Sequence, residues 1–175
     1  MGGRPAQTPR TTLAGRVLAP GKHLRLMAWL LDTNLLLRFC DTNSPAHAPA
    51  LRAVQRLFER NEPMHLTAQN FTEFWSVATR SPEFNGFGWT PEMTRHQIGQ
   101  FQSQFLFLPD SSEIFPRWLH LVSSLAIKGR KVHDARLVAV MEIHRVTHLL
   151  TFNTGDFKIF PNLLLVHPDE ILETK

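Results

Sequence analysis

A chain of 175 residues, 43% of them hydrophobic, is long enough for one domain whose core needs no disulfide or metal to hold it together. Its single cysteine, Cys40, cannot form an internal disulfide, so we expect a reducing, cytoplasmic setting. No apolar run approaches the roughly 20 residues of a membrane helix, which argues against a membrane protein and against a secretory signal.

The excess positive charge lies in residues 1–26. The pI is about 9.8, and this segment contains basic residues without any acidic one. From Met27 onward 14 basic residues stand against 15 acidic ones, so net charge alone does not predict nucleic acid binding. Frequent glycine and proline predict that residues 1–26 are a disordered extension and that residues 27–175 form the domain. Either Met27 is the true start, or the extension is a basic arm that raises nucleic acid affinity.

Short apolar runs alternate with longer segments of helical periodicity after Met27, a pattern typical of a parallel sheet covered by helices. Strands are predicted over residues 28–31, 64–67, 105–108, 148–151 and 163–166. Helices are predicted over residues 33–39, 46–60, 68–80, 91–103, 112–127 and 133–145. The helix side chains predicted to face the hydrophobic core of the protein include Phe58, Phe71, Trp75, Trp118, Leu119 and Leu121.

Acidic residues stand near the carboxyl ends of the predicted strands, where open parallel sheets bind ligands. Asp32 closes the first strand, Asp134 opens the last predicted helix, and Asp156 follows the fourth strand. Glu73 lies one turn into the helix after the second strand, and its side chain should lean back toward the same edge. Taken singly, Asp32 and Asp134 also suit helix caps, Glu73 a solvated helix position, and Asp156 a turn.

Carboxylates that meet in one cleft repel each other unless a cation neutralises them. We therefore expect a divalent ion, and ligation by oxygen alone suits Mg²⁺ or Mn²⁺. Such an ion suits hydrolysis of a phosphodiester, because it activates a water and stabilises the leaving oxygen.

Four segments, in this order, resemble the sequence blocks of PIN domains, especially the VapC-type toxins of bacterial type II toxin–antitoxin systems. They are Leu-Leu-Asp-Thr-Asn-Leu-Leu-Leu-Arg-Phe, Asn-Phe-Thr-Glu-Phe-Trp, Lys-Val-His-Asp-Ala-Arg-Leu-Val-Ala and Leu-Leu-Thr-Phe-Asn-Thr-Gly-Asp-Phe. The similarity spans about residues 27–168. The departures from the family pattern are the N-terminal extension and His133 before the third acid, and neither removes an acidic group.

This resemblance implies a three-layer α/β/α sandwich with a central five-stranded parallel sheet. It also implies Mg²⁺-dependent endoribonuclease activity on an RNA substrate, with Mn²⁺ as a possible substitute, a homodimer, and inhibition by a small cognate antitoxin. Matching the blocks assigns the metal ligands and catalytic acids to Asp32, Glu73, Asp134 and Asp156. Asn153 is the alternative to Asp156, and the hydroxyls of Thr33 and Thr151 either support the site or cap helices.

Other functions stay open from the sequence. A phosphoryl-transfer enzyme of the haloacid dehalogenase type would need a second aspartate where Asn34 stands. A PIN-like domain can bind RNA or a protein without cutting, or process RNA outside a toxin–antitoxin pair. The loop Phe84–Trp89 suits either a protein contact or stacking on RNA bases. A zinc site at His144 and His148 would need both on one helix face, and the RNA that is cut is not predictable.

Basic residues just before the helix of Asp134 suit phosphate contacts or an ordinary solvated turn. These residues are Lys128, Arg130 and Lys131.

Overall fold

The computed structural model describes residues 27–173, so the predicted N-terminal extension, residues 1–26, lies outside the described residues. Within this range no helix is long and apolar enough to cross a membrane. Five parallel strands form one sheet in the order β3-β2-β1-β4-β5. The strands are β1 (Trp29–Leu31), β2 (Met64–Thr67), β3 (Leu106–Leu108), β4 (His148–Leu150) and β5 (Leu164–Val166).

Helices connect and cover these strands. They are α1 (Thr33–Cys40), α2 (His47–Glu59), α3 (Ala68–Thr79), α4 (Pro91–Gln104), α5 (Ile114–Ser124), α6 (Lys131–Ile143), α7 (Thr154–Phe157) and α8 (Pro168–Glu173). A short 3₁₀ turn, Pro82–Phe84, lies in the loop before α4. The predicted α/β class and all five predicted strands are confirmed, whereas α7 and α8 were not anticipated.

The side chains of β1 divide the molecule into two hydrophobic cores. Leu31 packs with α1 to α4 and α8 on one face of the sheet, whereas Leu30 packs with α5, α6 and Phe157 of α7 on the other. Alternate residues of a strand point to opposite faces, so an apolar run buried on both sides indicates a central strand. The result is the predicted three-layer α/β/α sandwich.

Several side chains predicted to lie in the core are exposed. Phe58 of α2, Trp75 of α3 and Leu119 of α5 all lie at the solvent side of their helices. Each lies at the border of the apolar face of its helix. Phe58 follows the buried Leu57, Trp75 follows the buried Phe74, and Leu119 lies two residues before the buried Leu121. Helical periodicity gives the direction of a face but not its width, and these faces are narrower than predicted.

The helix that contains Asp134 begins earlier than predicted. It starts at Lys131 instead of His133, and its N-cap residue Arg130 makes no side-chain capping hydrogen bond. Asp134 therefore lies within the first turn and does not open the helix. An aspartate predicts a helix start because it is a common N-cap residue. This helix begins without a capping side chain, so its start could not be located in that way.

Candidate active site

The chain leaves β1 in one direction to β2 and returns later on its other side to β4, which makes the carboxyl edge of β1 the switch point where such sheets bind ligands. Asp32 follows β1, and its backbone N–H donates to the Leu150 carbonyl at 3.0 Å. Its Oδ2 accepts hydrogen bonds from Thr151 Oγ1 at 2.6 Å and from Asn34 Nδ2 at 2.7 Å. Asp32 makes no side-chain capping bond to α1, so its carboxylate serves the cleft and not the helix end.

Glu73 reaches the same edge from α3. This helix starts with a capping box between Thr67 and Asn70, and Asn70 Nδ2 also donates to the Leu31 carbonyl at 3.0 Å. The start of α3 is thereby fixed to the end of β1. One turn on, Glu73 Oε2 accepts from Thr33 Oγ1 at 2.6 Å, so its carboxylate points toward the sheet.

The other two acids approach from the opposite side of the sheet. Asp134 lies in the first turn of α6 and Asp156 lies in α7, and both line the same cleft as Asp32 and Glu73. Asn153 precedes α7 and also lines the cleft, while its backbone N–H donates to Thr151 Oγ1 at 3.0 Å. The structure thus brings all four predicted acids to one cleft. It places Thr33 and Thr151 as donors to two of them, and neither hydroxyl caps a helix through an observed bond.

Two of the four acids, Asp32 and Asp134, have a raised pKa. Desolvation by the surrounding protein raises the pKa of Asp32 to about 6, although the Thr151 hydrogen bond acts in the opposite direction, and repulsion from Glu73 and Asp134 adds to the rise. Desolvation likewise raises the pKa of Asp134 to about 6, with repulsion from Asp156 and Glu73 adding to it. Holding these charges together without a cation is therefore unfavourable.

The cleft is an open trough of about 660 Å³ with acids at its centre and basic side chains on its walls. Arg130 and Lys131 stand at the start of α6, and Arg80 stands at the end of α3. The acids would repel a polyanion, and the three cations offset that repulsion. Lys128, the third basic residue predicted for phosphate contacts, is not among the lining residues.

The loop after α3 holds Arg80 in place. Gly88 N–H donates to the Arg80 carbonyl at 2.8 Å, and Trp89 N–H donates to the Ala78 carbonyl at 2.8 Å. At Gly86 a Cβ atom would lie 2.1 Å from the Arg80 carbonyl oxygen, so no other residue fits without a shift. In this loop Phe84 is exposed, whereas Trp89 packs against the core.

Sequence reasoning missed three polar residues of this region. Asn34 bonds Asp32, Gln69 Nε2 donates to Glu73 Oε1 at 2.7 Å, and Arg80 lines the cleft. The spacing of Gln69, four residues before Glu73 on a helix, is a signal that was present in the sequence. Arg80 carried no such signal, because it stands after the end of α3 and only the folded chain brings it to the cleft.

The donor set limits which metal fits. Among residues 27–173, no three or more His, Cys, Asp or Glu side chains are arranged so that they could hold a metal ion by themselves. An ion that fits must keep several waters and contact one or two carboxylates directly, which is the habit of Mg²⁺. The four acids and Asn153 offer oxygen donors, and this set fits Mg²⁺ or Mn²⁺ better than zinc, although His133 also lines the cleft.

Two other candidate groups do not join the cleft. His144 Nε2 is bonded to the Pro109 carbonyl at 2.9 Å, and α6 ends at Ile143, so His144 and His148 do not share a helix face. Burial raises the pKa of the Cys40 thiol to about 12, so this cysteine is protonated at neutral pH.

Comparison with known proteins identifies the fold. The family model of the PIN domain matches residues 29–162. One similar structure is VapBC2 from Rickettsia felis, bound to a DNA fragment from the VapBC2 promoter. A chain of that structure aligns with a TM-score of 0.63 and 18% identity, covering 81% of this chain and 98% of that chain. A chain in a toxin–antitoxin complex from Klebsiella pneumoniae aligns with a TM-score of 0.55 and 23% identity, covering 79% and 96%.

A third structure is Mycobacterium tuberculosis VapC20, described as a toxin that cleaves the sarcin–ricin loop. It aligns with a TM-score of 0.51 and 10% identity, covering 69% of this chain and 86% of that chain. At these identities the likenesses establish the shared fold. No curated protein sequence gives a significant match.

Proposed function

This chain belongs to the PIN domain family, and from that premise we propose that it is a divalent-metal-dependent endoribonuclease that acts as the toxin of a toxin–antitoxin pair. The observation that carries the proposal is the convergence of Asp32, Glu73, Asp134 and Asp156 on one cleft with cationic walls. A structural role does not account for this arrangement, because desolvation and repulsion raise the pKa values of Asp32 and Asp134, and such acids destabilise the fold at neutral pH unless they bind something.

Each part of the cleft has a role in this proposal. Asp32 and Asp134 would hold a Mg²⁺ or Mn²⁺ ion and Glu73 would complete this central triad, with Asp156 as the fourth acid and Asn153 as its alternative. A bound ion would polarise the scissile phosphate and activate a water. Thr151 and Asn34 orient Asp32, and Thr33 orients Glu73, so these carboxylates are fixed before substrate arrives.

The cationic walls suit the backbone of a nucleic acid strand that crosses the acids. Arg80 on one wall and Arg130 and Lys131 on the other can each contact a phosphate, leaving the phosphate between them over the carboxylates. An open trough admits a flexible single strand or loop more easily than a duplex. The proposal that the strand is RNA is supported by the family resemblance and by the likeness to VapC20, a toxin that cleaves the sarcin–ricin loop.

Partners and setting are part of the same proposal. The Rickettsia and Klebsiella structures are toxin–antitoxin complexes, which supports a small cognate antitoxin for this chain as well. Exposed apolar side chains on the edge strand β3 and on α3 suit a homodimer contact, and they include Leu106, Phe107 and Trp75. We place the activity in the cytoplasm.

Cleavage of a mixed pool of structured and single-stranded RNA by the purified full-length chain tests the function. The reaction is run with Mg²⁺, with Mn²⁺ and with EDTA, and compares wild type with Asp32→Asn and Asp134→Asn. Asp169→Asn is the matched control, because Asp169 is exposed on α8 and its one ion-pair partner within residues 27–173 is His167, at 3.3 Å. Metal-dependent cutting by wild type and by the control, with none by the other two variants, is expected.

Two further measurements, RNA binding and co-expression with a candidate antitoxin, separate the alternatives. No cutting by folded wild type with either metal, while RNA is still bound, would replace the nuclease by a non-catalytic binding module. Cutting that a co-expressed small protein from the neighbouring reading frame does not inhibit would point to RNA processing outside a toxin–antitoxin pair.

A further inference from the structure

Gln69 joins Glu73 to the helix that contains Asp134. It lies one turn before Glu73 on α3, and its Nε2 donates both to Glu73 Oε1 at 2.7 Å and to the His133 carbonyl at 2.9 Å. An amide nitrogen has two N–H groups, so one side chain can serve both acceptors. His133 is the neighbour of Asp134, and Gln69 therefore bridges the elements that hold two of the four acids.

Arg136 fixes which way the Gln69 amide faces. Its Nη1 donates to Gln69 Oε1 at 3.3 Å, and its Nη2 donates to Asp110 Oδ1 at 2.9 Å. With the amide oxygen turned toward the guanidinium, the amide nitrogen must face Glu73. The reverse orientation would place that oxygen against a carboxylate and a carbonyl, which have no proton to share.

The carboxylate of Glu73 has one donor on each oxygen. Thr33 Oγ1 serves Oε2 and Gln69 serves Oε1. With the Thr33 bond alone, the carboxylate could still pivot about that bond, since the glutamate side chain has several rotatable torsions. Two donors define its plane. Gln69, Arg136 and Asp110 do not line the cleft, so any effect they have on the reaction must pass through Glu73 or the start of α6.

We propose that Gln69 is a positioning residue, oriented by Arg136 and Asp110, that fixes the Glu73 carboxylate in the geometry that the site uses. The inference rests on the proposed function and deepens it. It extends the machinery to Asp110, in the loop after β3, whose side chain is 50% exposed. Loss of an outer partner of this kind typically weakens metal affinity or activity by about 10- to 100-fold.

The test compares Gln69→Met and Asp110→Asn with wild type. Gln69→Met keeps the length and helix propensity of the side chain and removes the amide. Asp110→Asn keeps the shape and removes the charge that holds Arg136. The matched control is Glu142→Gln, which weakens the ion pair between Arg117 and Glu142, also on α6. The pairs are comparable, because the side chains are 35% and 50% exposed in Arg136–Asp110 and 37% and 33% exposed in Arg117–Glu142.

Three readouts are taken on the full chain: Mn²⁺ affinity by calorimetry, kcat and KM for RNA, and the melting temperature. Gln69→Met is expected to weaken Mn²⁺ binding and to lower kcat, each by about tenfold, while KM stays close to wild type. Asp110→Asn should shift the same quantities in the same direction by less. Glu142→Gln should leave the Mn²⁺ affinity and kcat unchanged.

Unchanged Mn²⁺ affinity in folded Gln69→Met overturns the inference. If that variant does not fold, Asp110→Asn decides, because its side chain lies in an exposed loop. If wild type cuts no RNA, the proposed nuclease activity is wrong, and the Mn²⁺ titration alone tests the positioning role of Gln69. Wild type that binds no Mn²⁺ would overturn both proposals, since Glu73 would then have no ion to be positioned for.

Discussion

Thr151 donates from Oγ1 to Asp32 Oδ2 at 2.6 Å, although the two residues are 119 positions apart in the chain. The bond forms because β4 and β1 are neighbours in register, with Leu150 opposite Leu31. Thr151 is fully buried, and its hydroxyl also accepts from Asn34 Nδ2 and from the Asn153 N–H. The same bond opposes the rise in the pKa of Asp32.

Thr151→Val should therefore impair both stability and activity. Valine has the same shape but removes the hydroxyl that accepts from the part-buried Asn34 amide and the Asn153 N–H, which costs about 1 kcal/mol of unfolding free energy. Asp32 also loses a donor that favours its ionised form. We expect lower metal affinity at neutral pH, measured by Mn²⁺ titration, and a lower denaturation midpoint. Thr151→Ser keeps the hydroxyl and should stay near wild type, and an equal loss in both variants would refute the explanation.

Asp134→Asn should stabilise the metal-free protein. Desolvation disfavours the charge of Asp134, repulsion from Asp156 and Glu73 adds to that effect, and the amide removes the charge. Because Asp134 stays partly exposed, solvent screens part of the effect, and we expect about 1 kcal/mol, or a rise in Tm of about 2–4 °C in EDTA.

Added Mg²⁺ should reverse that order. Binding to the folded state raises the Tm of wild type by mass action, and Asp134→Asn should gain less from the same concentration. Asp169→Asn, which removes an exposed charge away from the cleft, should match wild type under both conditions. A fall in Tm of Asp134→Asn in EDTA would show that the acid supports the fold instead of straining it.

The fold was largely predictable from the sequence because the strands are short apolar runs with clear ends. The capping residue Thr90, whose hydroxyl accepts from the Met93 N–H, is an equally local signal for α4. Trp75 and Leu119 were misplaced because the width of a buried face depends on what packs against it. That information lies in other segments of the chain.

The four acids of the cleft were recognisable because each lies just after a strand or within the first two turns of a helix. The hydrogen bonds between them were not predictable. The partners Thr33 and Glu73 are 40 positions apart, and Asn34 and Thr151 are 117 apart, so their contacts follow from strand order and register. Gln69 was within reach, since its spacing to Glu73 is local. Its link to Arg136 is again a contact between distant segments.

His65 should make stability depend on pH. It lies on β2, and desolvation lowers its pKa, with His144 adding to the effect, although its ring also bonds the Trp29 carbonyl at 3.0 Å. Below the ordinary histidine pKa of about 6.5, the unfolded chain takes up a proton that the folded chain resists, so this residue costs stability as pH falls. His65→Asn removes that cost and can keep the bond to Trp29.

The measurement is the difference in unfolding free energy between His65→Asn and wild type at pH 7.5 and at pH 5.5. Comparing the two differences cancels any constant effect of the substitution. The variant should gain stability on wild type as the pH falls over this range, and the gain should be modest because a half-exposed ring is only partly desolvated. A difference that does not change with pH would contradict the assignment.

Gly86→Ala should weaken RNA binding through Arg80. The new Cβ atom would lie 2.1 Å from the Arg80 carbonyl oxygen, so the loop or the end of α3 must move. We expect a loss of about 1–3 kcal/mol in unfolding free energy, typical of overpacking, together with a higher KM for RNA. Arg80→Ala should raise KM as well and reduce the salt dependence of binding by about one charge, because it removes one phosphate contact.

Gly99→Ala is the matched control for this substitution. Gly99 is exposed in α4, and a Cβ atom there would meet nothing within 4 Å. Alanine should stabilise that helix by up to about 1 kcal/mol and leave KM unchanged. If Gly86→Ala lowers stability without changing KM or the salt dependence, the loop supports only the fold. A shift of both toward the values of Arg80→Ala means that the loop sets the position of a cationic wall of the cleft.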